Sequence, residues 1–188
     1  MSIVEKAFQL KVLQEKILKL SKNFPSKNLV FSDGSYLSEV MIIGEAPGQM
    51  EDKMKIPFVG RAGKLLDKML ESINLNRNKC YITNVVNFRP EENRKPTLDE
   101  ILIFRPLLFN HIEIIMPKKI LLLGATAAHA VLDHEGPLHI VRGIWKKINI
   151  NKNHFNVLTT FHPAYLLRQP NAKKIAWKDL LEFKKIFF

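Results

Sequence analysis

Val40-Met41-Ile42-Ile43 runs directly into Gly44-Glu45-Ala46-Pro47-Gly48. Four consecutive apolar residues suit a strand buried on both faces, and the turn behind them sets a carboxylate at the strand's carboxyl end. In open α/β sheets, ligands bind at that edge. Gly44 and Gly48 let the backbone turn and approach a planar ligand, Pro47 stiffens the turn, and Glu45 offers an acid, a base or a water-orienting group. Taken alone, the pentapeptide is also what an ordinary strand connection looks like.

Outward from this stretch the chain alternates strand and helix, which predicts a parallel sheet between helical layers. Further strands are expected at Tyr81 to Val86, Lys119 to Leu123 and Asn156 to Phe161. Helices are expected at Ala62 to Ile73, Thr97 to Ile115, Ala125 to Leu132 and Ala172 to Ile186. Met1 to Lys22 reads as an amphipathic helix with Ala7, Leu10, Leu13, Ile17 and Leu20 near one face. Asn23 to Glu39 and Asp133 to Asn153 are the least regular stretches and suit surface loops or short extra strands.

The 188 residues are 46% hydrophobic and 25% charged, enough chain for a substantial core, and a single domain over residues 1–188 is expected. No apolar run approaches bilayer length and the first helix lacks a signal-peptide core, so a cytoplasmic protein is expected. Cys80 is the single cysteine, which excludes an internal disulfide and a cluster held by four cysteines of this chain. His129, His134 and His139 are spaced by five residues and interrupted by Gly136-Pro137, which does not place them on one helix face as metal ligands. No metal or other cofactor is expected. The formal net charge is +11, and from Arg142 to Phe188 ten Lys/Arg stand against Asp179 and Glu182. Such a field suits a polyanion and sequence-independent phosphate contacts.

The carboxyl ends of successive parallel strands share one edge, so their contents can be combined. The first delivers Glu45 and, farther along the loop, Glu51, Asp52 and Pro57-Phe58-Val59-Gly60. The second delivers Thr83-Asn84, then Arg89, Pro90, Asn93 and Arg94. The third ends in Gly124-Ala125-Thr126, small residues that open a helix and could receive a phosphate. The fourth delivers Phe161-His162-Pro163. An amide that donates and accepts, an aromatic plane, a histidine and a carboxylate are what a pocket needs to read and detach a flipped-out base.

Gly44-Glu45-Ala46-Pro47-Gly48, Pro57-Phe58-Val59-Gly60-Arg61-Ala62-Gly63, Tyr81-Ile82-Thr83-Asn84-Val85-Val86, Arg89-Pro90 with Asn93-Arg94, and His162-Pro163-Ala164-Tyr165-Leu166-Leu167-Arg168, in that order, closely resemble family 4 of the uracil-DNA glycosylase superfamily. The resemblance runs from about Val40 to Asp179. It implies a three-layer α/β/α fold around a central four-stranded parallel sheet. It also implies a monofunctional DNA glycosylase in base-excision repair, which hydrolyses the N-glycosidic bond of deoxyuridine in single- or double-stranded DNA and leaves an abasic site. A monomer suits that expectation.

By the same resemblance, His162 donates to uracil O2 as negative charge develops, Asn84 donates to O4 and accepts from N3–H, and Phe58 stacks on the ring beside Ala46. Glu45 is the first choice to orient the attacking water and Glu51 the second. Tyr165-Leu166-Leu167 is expected to fill the gap left by the extruded base, although the paired leucines Leu166 and Leu167 at a helix start suit core packing equally well. Arg142, Lys146 and Arg168 are the expected phosphate contacts.

Two departures from the family pattern matter. Family 4 members typically hold an iron–sulfur cluster with four cysteines, whereas here the corresponding segments read Asn87-Phe88-Arg89 and Ile103-Phe104-Arg105, and Phe31-Ser32-Asp33 upstream carries none. Packing in place of a cluster is expected. A related branch captures DNA covalently through a histidine after the asparagine motif, but no histidine lies between Arg89 and Leu98, so ordinary turnover is expected. The competing expectation is a catalytically inactive nucleic-acid-binding protein on the same fold. A nucleotide-binding module is disfavoured, since no Gly-x-Gly-x-x-Gly or Walker-type loop is present.

Overall fold

A computed structural model describes residues 2–185. Six strands, β1 (Asp33–Gly34), β2 (Val40–Gly44), β3 (Tyr81–Asn84), β4 (Lys119–Leu123), β5 (Lys146–Ile150) and β6 (Asn153–Thr160), form one sheet in the order β1-β3-β2-β4-β6-β5. The inner four, β3, β2, β4 and β6, are mutually parallel. They correspond to the four strands expected from the sequence. The sheet is nonetheless six-stranded and mixed, because β1 and β5 add antiparallel edges from the two irregular stretches. β5 joins β6 through Asn151-Lys152, with Asn151 at φ 52°, the left-handed conformation a two-residue hairpin turn favours.

Among the described residues, seven α-helices cover the faces: α1 (Ile3–Leu18), α2 (Gln49–Met54), α3 (Arg61–Glu71), α4 (Leu98–Ile115), α5 (Ala125–Leu132), α6 (Pro163–Arg168) and α7 (Lys173–Lys185). Thr97 caps α4 reciprocally with Glu100, and Ser2 does the same for α1 with Glu5. The expected amphipathic face of α1 holds for Leu10, Leu13 and Ile17, while Ala7 is exposed and Leu20 half-buried in a following single turn. Met1 and Ile186, the expected limits of the first and last helices, lie outside the described residues.

Strand alternation splits the core into two layers. Met41 and Ile43 of β2, with Ile120 and Leu122 of β4, face Leu13, Ile17, Phe104, Leu108, Ile112 and Ala127 from α1, α4 and α5. Val40 and Ile42, with Leu121 and Leu123, face Leu66, Leu70, Leu166, Leu180 and Phe183 from α3, α6 and α7. This is a three-layer α/β/α arrangement, and it brings the carboxyl ends of the four parallel strands to one edge.

His111 of α4 is enclosed in the first layer, its Nε2 2.7 Å from the Tyr81 hydroxyl and its ring stacked on Phe31 with centroids 4.7 Å apart. Burial pushes this imidazole from 6.5 down to about 3. The unfolded chain therefore takes up this proton below about pH 6.5 while the native state refuses it until about pH 3, so stability falls as pH drops across that window. Denaturant midpoints measured near neutral pH and at about pH 4 should differ less in His111→Gln than in the parent protein.

Candidate active site

At the shared strand edge, Glu45, Ala46, Glu51, Phe58, Asn84 and His162 line one pocket of about 170 Å³. That is room for a single small ring, well short of the roughly 300 Å³ where drug-sized sites begin. Pro47, Gly48, Ala62, Asn93, Arg94 and Ala164 complete its wall.

Glu45 leaves the end of β2 on a loop that stays tied to β3, with the Gly44 and Glu45 carbonyls accepting from Val85 and Val86 N–H at 3.0 and 3.1 Å. Its Oε2 accepts a hydrogen bond from the Thr126 hydroxyl at the start of α5. The place where the sequence suggested a phosphate could rest, Gly124-Ala125-Thr126, thus receives the Glu45 side chain. Glu51 is engaged differently: its Oε1 accepts from Val59 and Gly60 N–H at 2.9 and 2.8 Å, which fastens the loop carrying Phe58.

Phe58 sits at φ 56°, an uncommon conformation for an aromatic residue, and its ring is 5.7 Å from that of His162. Gly44 makes this approach possible, since a Cβ there would lie 2.3 Å from the Phe58 ring and 2.4 Å from Asn84 Oδ1. Arg77 secures the turn from beneath. Its Nη1 donates to Pro57 O at 3.1 Å and Nη2 to Phe58 O, while Asp33 and Asp67 hold the guanidinium at 2.6 and 2.8 Å.

Asn84, the last residue of β3, is 2% exposed, and its Oδ1 is buried without a hydrogen-bond partner. Buried acceptors are nearly always satisfied, so this one marks where a ligand donor belongs. His162 follows β6 and caps α6, with Nδ1 accepting from Ala164 N–H at 3.1 Å. An acceptor at Nδ1 assigns the proton of the neutral ring to Nε2, leaving that N–H as the free donor. Burial holds the imidazole below its ordinary value; the Glu45 carboxylate opposes the effect and Arg168 reinforces it.

The expected DNA contacts divide. Tyr165 and Leu167 are 39% and 36% exposed on α6, and Arg168 is exposed without an ion pair among the described residues. Leu166 is 1% exposed and packed in the second core layer, so it is not available as a wedge. Arg142 is not a free phosphate contact either. Its guanidinium forms a two-pronged pair with buried Asp179, which also accepts from Thr160 Oγ1 at 2.8 Å, and it lies 5.4 Å from the centre of the Phe161 ring. Lys146 is exposed on the edge strand β5, beside Arg105, Phe109 and Lys147 in a separate groove. No group of three or more His, Cys, Asp or Glu side chains among the described residues is placed to hold a metal ion.

A family model described as Uracil DNA glycosylase superfamily matches residues 31–181. The chain belongs to that superfamily. A type-4 uracil-DNA glycosylase of Sulfurisphaera tokodaii is 42% identical over 167 residues, covering 85% of this chain and 73% of the relative. Proteins of the same description from Pyrobaculum aerophilum and Thermotoga maritima are each 38% identical, covering 84% of this chain and 82% of their own. The iron–sulfur cluster that type-4 resemblance implies does not fit here. Cys80 is fully buried with its thiol pushed up to about 12, and Asn87-Phe88-Arg89 and Ile103-Phe104-Arg105 contribute Phe88 and Phe104 to an aromatic cluster with Phe24. Centroid separations of 5.4, 5.7 and 6.3 Å leave the three rings in contact.

Sequence reasoning missed Arg77 and Thr126. Arg77 reads as one more surface cation until its partners, 10 to 44 residues away, are brought together. Thr126 belongs to the Gly124-Ala125-Thr126 helix start, but its partner Glu45 is 81 residues distant.

Proposed function

We propose that this chain removes uracil from DNA by hydrolysing the C1′–N1 bond of deoxyuridine, with Glu45, Asn84, Phe58 and His162 as the working groups. The observation that carries this reading is the unpartnered, buried Oδ1 of Asn84 in the same pocket as the free Nε2–H of His162. Uracil presents a donor at N3 between acceptors at O2 and O4. Asn84 Oδ1 meets N3–H and its amide N–H meets O4, whereas cytosine presents an acceptor at N3 and an amine at C4 and would face like with like.

As C1′–N1 lengthens, the bonding electron pair departs with the base and negative charge spreads to O2. A neutral Nε2–H donor, its ring fixed through Nδ1 by Ala164 N–H before reaction, stabilises that charge without reorganising. Glu45 stabilises the positive sugar and orients the water, whose oxygen forms the new bond to C1′. The proton given up by the water ends on uracil N1. Glu51 serves by holding the Phe58 platform, through the Val59 and Gly60 N–H groups that its Oε1 accepts from.

Asn84→Asp keeps an acceptor for N3–H but loses the donor to O4. It should lower uracil release by about tenfold to a hundredfold, as expected when a polar contact made to one edge of a substrate is removed. Unchanged release would exclude Asn84 from base reading.

Exposed Tyr165, stacked on Phe161 with centroids 5.1 Å apart, takes the wedge role that buried Leu166 cannot. Tyr165→Ala should slow release from paired uracil several-fold more than from single-stranded uracil, measured side by side. An equal loss on both substrates would remove Tyr165 from base extrusion.

A further inference from the structure

A carboxylate that orients water must itself be oriented. The Glu45 side chain reaches across the sheet edge from β2 to the first turn of α5, where the Thr126 hydroxyl donates to Oε2. Thr126 is 9% exposed, so the bond is largely shielded from competing water. Oε1 accepts no hydrogen bond among the described residues, although Glu45 lines the pocket.

The start of α5 is a fixed reference point. Gly124 lies at φ 89°, its N–H donates to Thr160 O at 2.8 Å, and a Cβ there would come within 3.0 Å of His162 Cβ. The helix that grips Glu45 is therefore the element on which the His162 backbone rests. The two groups that must act on opposite charges of one breaking bond are registered to the same turn.

We propose that Thr126 is a positioning residue for the reaction: by holding Oε2 of Glu45 it leaves Oε1 as the oxygen presented to the attacking water. This rests on the catalytic reading of Glu45. Loss of the hydroxyl frees the carboxylate to rotate, and small misplacements of a reacting group are costly to rate. Thr126 is not one of the residues lining the pocket, so the loss belongs in the chemical step.

The test is single-turnover release from a uracil-containing single-stranded oligonucleotide, with enzyme in excess and titrated to half-saturation. Thr126→Val, close in shape, should slow the step by about tenfold or more while half-saturation moves by less than about twofold, the signature of a contact to a charged group that acts in the transition state. Thr126→Ser restores the donor and should stay within about threefold of the parent. In a Glu45→Ala background, Thr126→Val should cost less than about twofold, because the pair acts as a unit. Melting temperatures check folding, and Thr126→Ala serves as the deletion if valine does not pack.

A parent-like rate in a folded deletion variant, a serine variant as slow as valine, or the same loss with and without Glu45 would overturn the proposal. Those results leave the function itself standing. Parent-like turnover in Glu45→Ala alone would instead overturn the catalytic reading of Glu45, and this inference with it.

Discussion

Replacing His162 by alanine is expected to slow single-turnover uracil release by at least about a hundredfold while DNA binding persists. The argument is electrostatic. Ala164 N–H occupies Nδ1 at 3.1 Å, so the neutral ring's one proton is at Nε2, and burial keeps the ring neutral by lowering its affinity for a second. A neutral donor interacts most strongly when the base has become an anion, so its loss falls on the transition state. The sign of the shift also sets the pH behaviour. Because the imidazole is held below its ordinary value, protonation of His162 should set in at lower pH than for a free imidazole, and any His162-dependent change in rate should be displaced to lower pH accordingly. Glu45→Ala should show a loss comparable to that of His162→Ala, whereas Glu51→Ala should act mainly on half-saturation through the Phe58 loop. Rapid-quench measurements with excess enzyme separate these cases; parent-like rates in His162→Ala would exclude it from the chemistry.

The second large effect is on stability. Phe104 is 1% exposed and packs against Phe24 and Phe88 in the first core layer. Phe104→Ala should cost about 3–5 kcal/mol, the usual penalty for emptying a buried aromatic site. For a chain of this size that corresponds to a melting temperature lower by roughly 6 to 20 °C. Iron chelators should leave the parent melt unchanged, since the packing here is aromatic rather than metal-held. A small change on Phe104→Ala, or a chelator-sensitive melt, would contradict the view that hydrocarbon contacts stabilise this region.

Glu45, Asn84 and His162 could be placed together from sequence because each follows an apolar run, and parallel strands bring their carboxyl ends to one edge. Topology alone did that work. What escaped depends on contacts that no local pattern carries. Leu166 and its neighbours Tyr165 and Leu167 are chemically suited to the same wedge, and only the docking of α6 against α3 decides which side chain is buried. Arg142 looks like a phosphate contact until Asp179, 37 residues later, is folded against it. β1 is two residues long and β5 is mostly polar and exposed, so neither carries the apolar signal of the inner strands. Both edge strands are held chiefly by pairing to a neighbour, β1 to β3 and β5 to β6, a relation written in topology rather than composition.

The central claim, that this pocket excises uracil, is tested most directly by incubating the purified protein with matched oligonucleotides carrying one U, T or C, single-stranded and paired, followed by alkali. The account predicts cleavage at U, with T and C strands intact and no stable protein–DNA adduct on a denaturing gel. Intact U strands, with salt-sensitive DNA binding retained, would contradict it and make the chain a binding protein on a glycosylase fold.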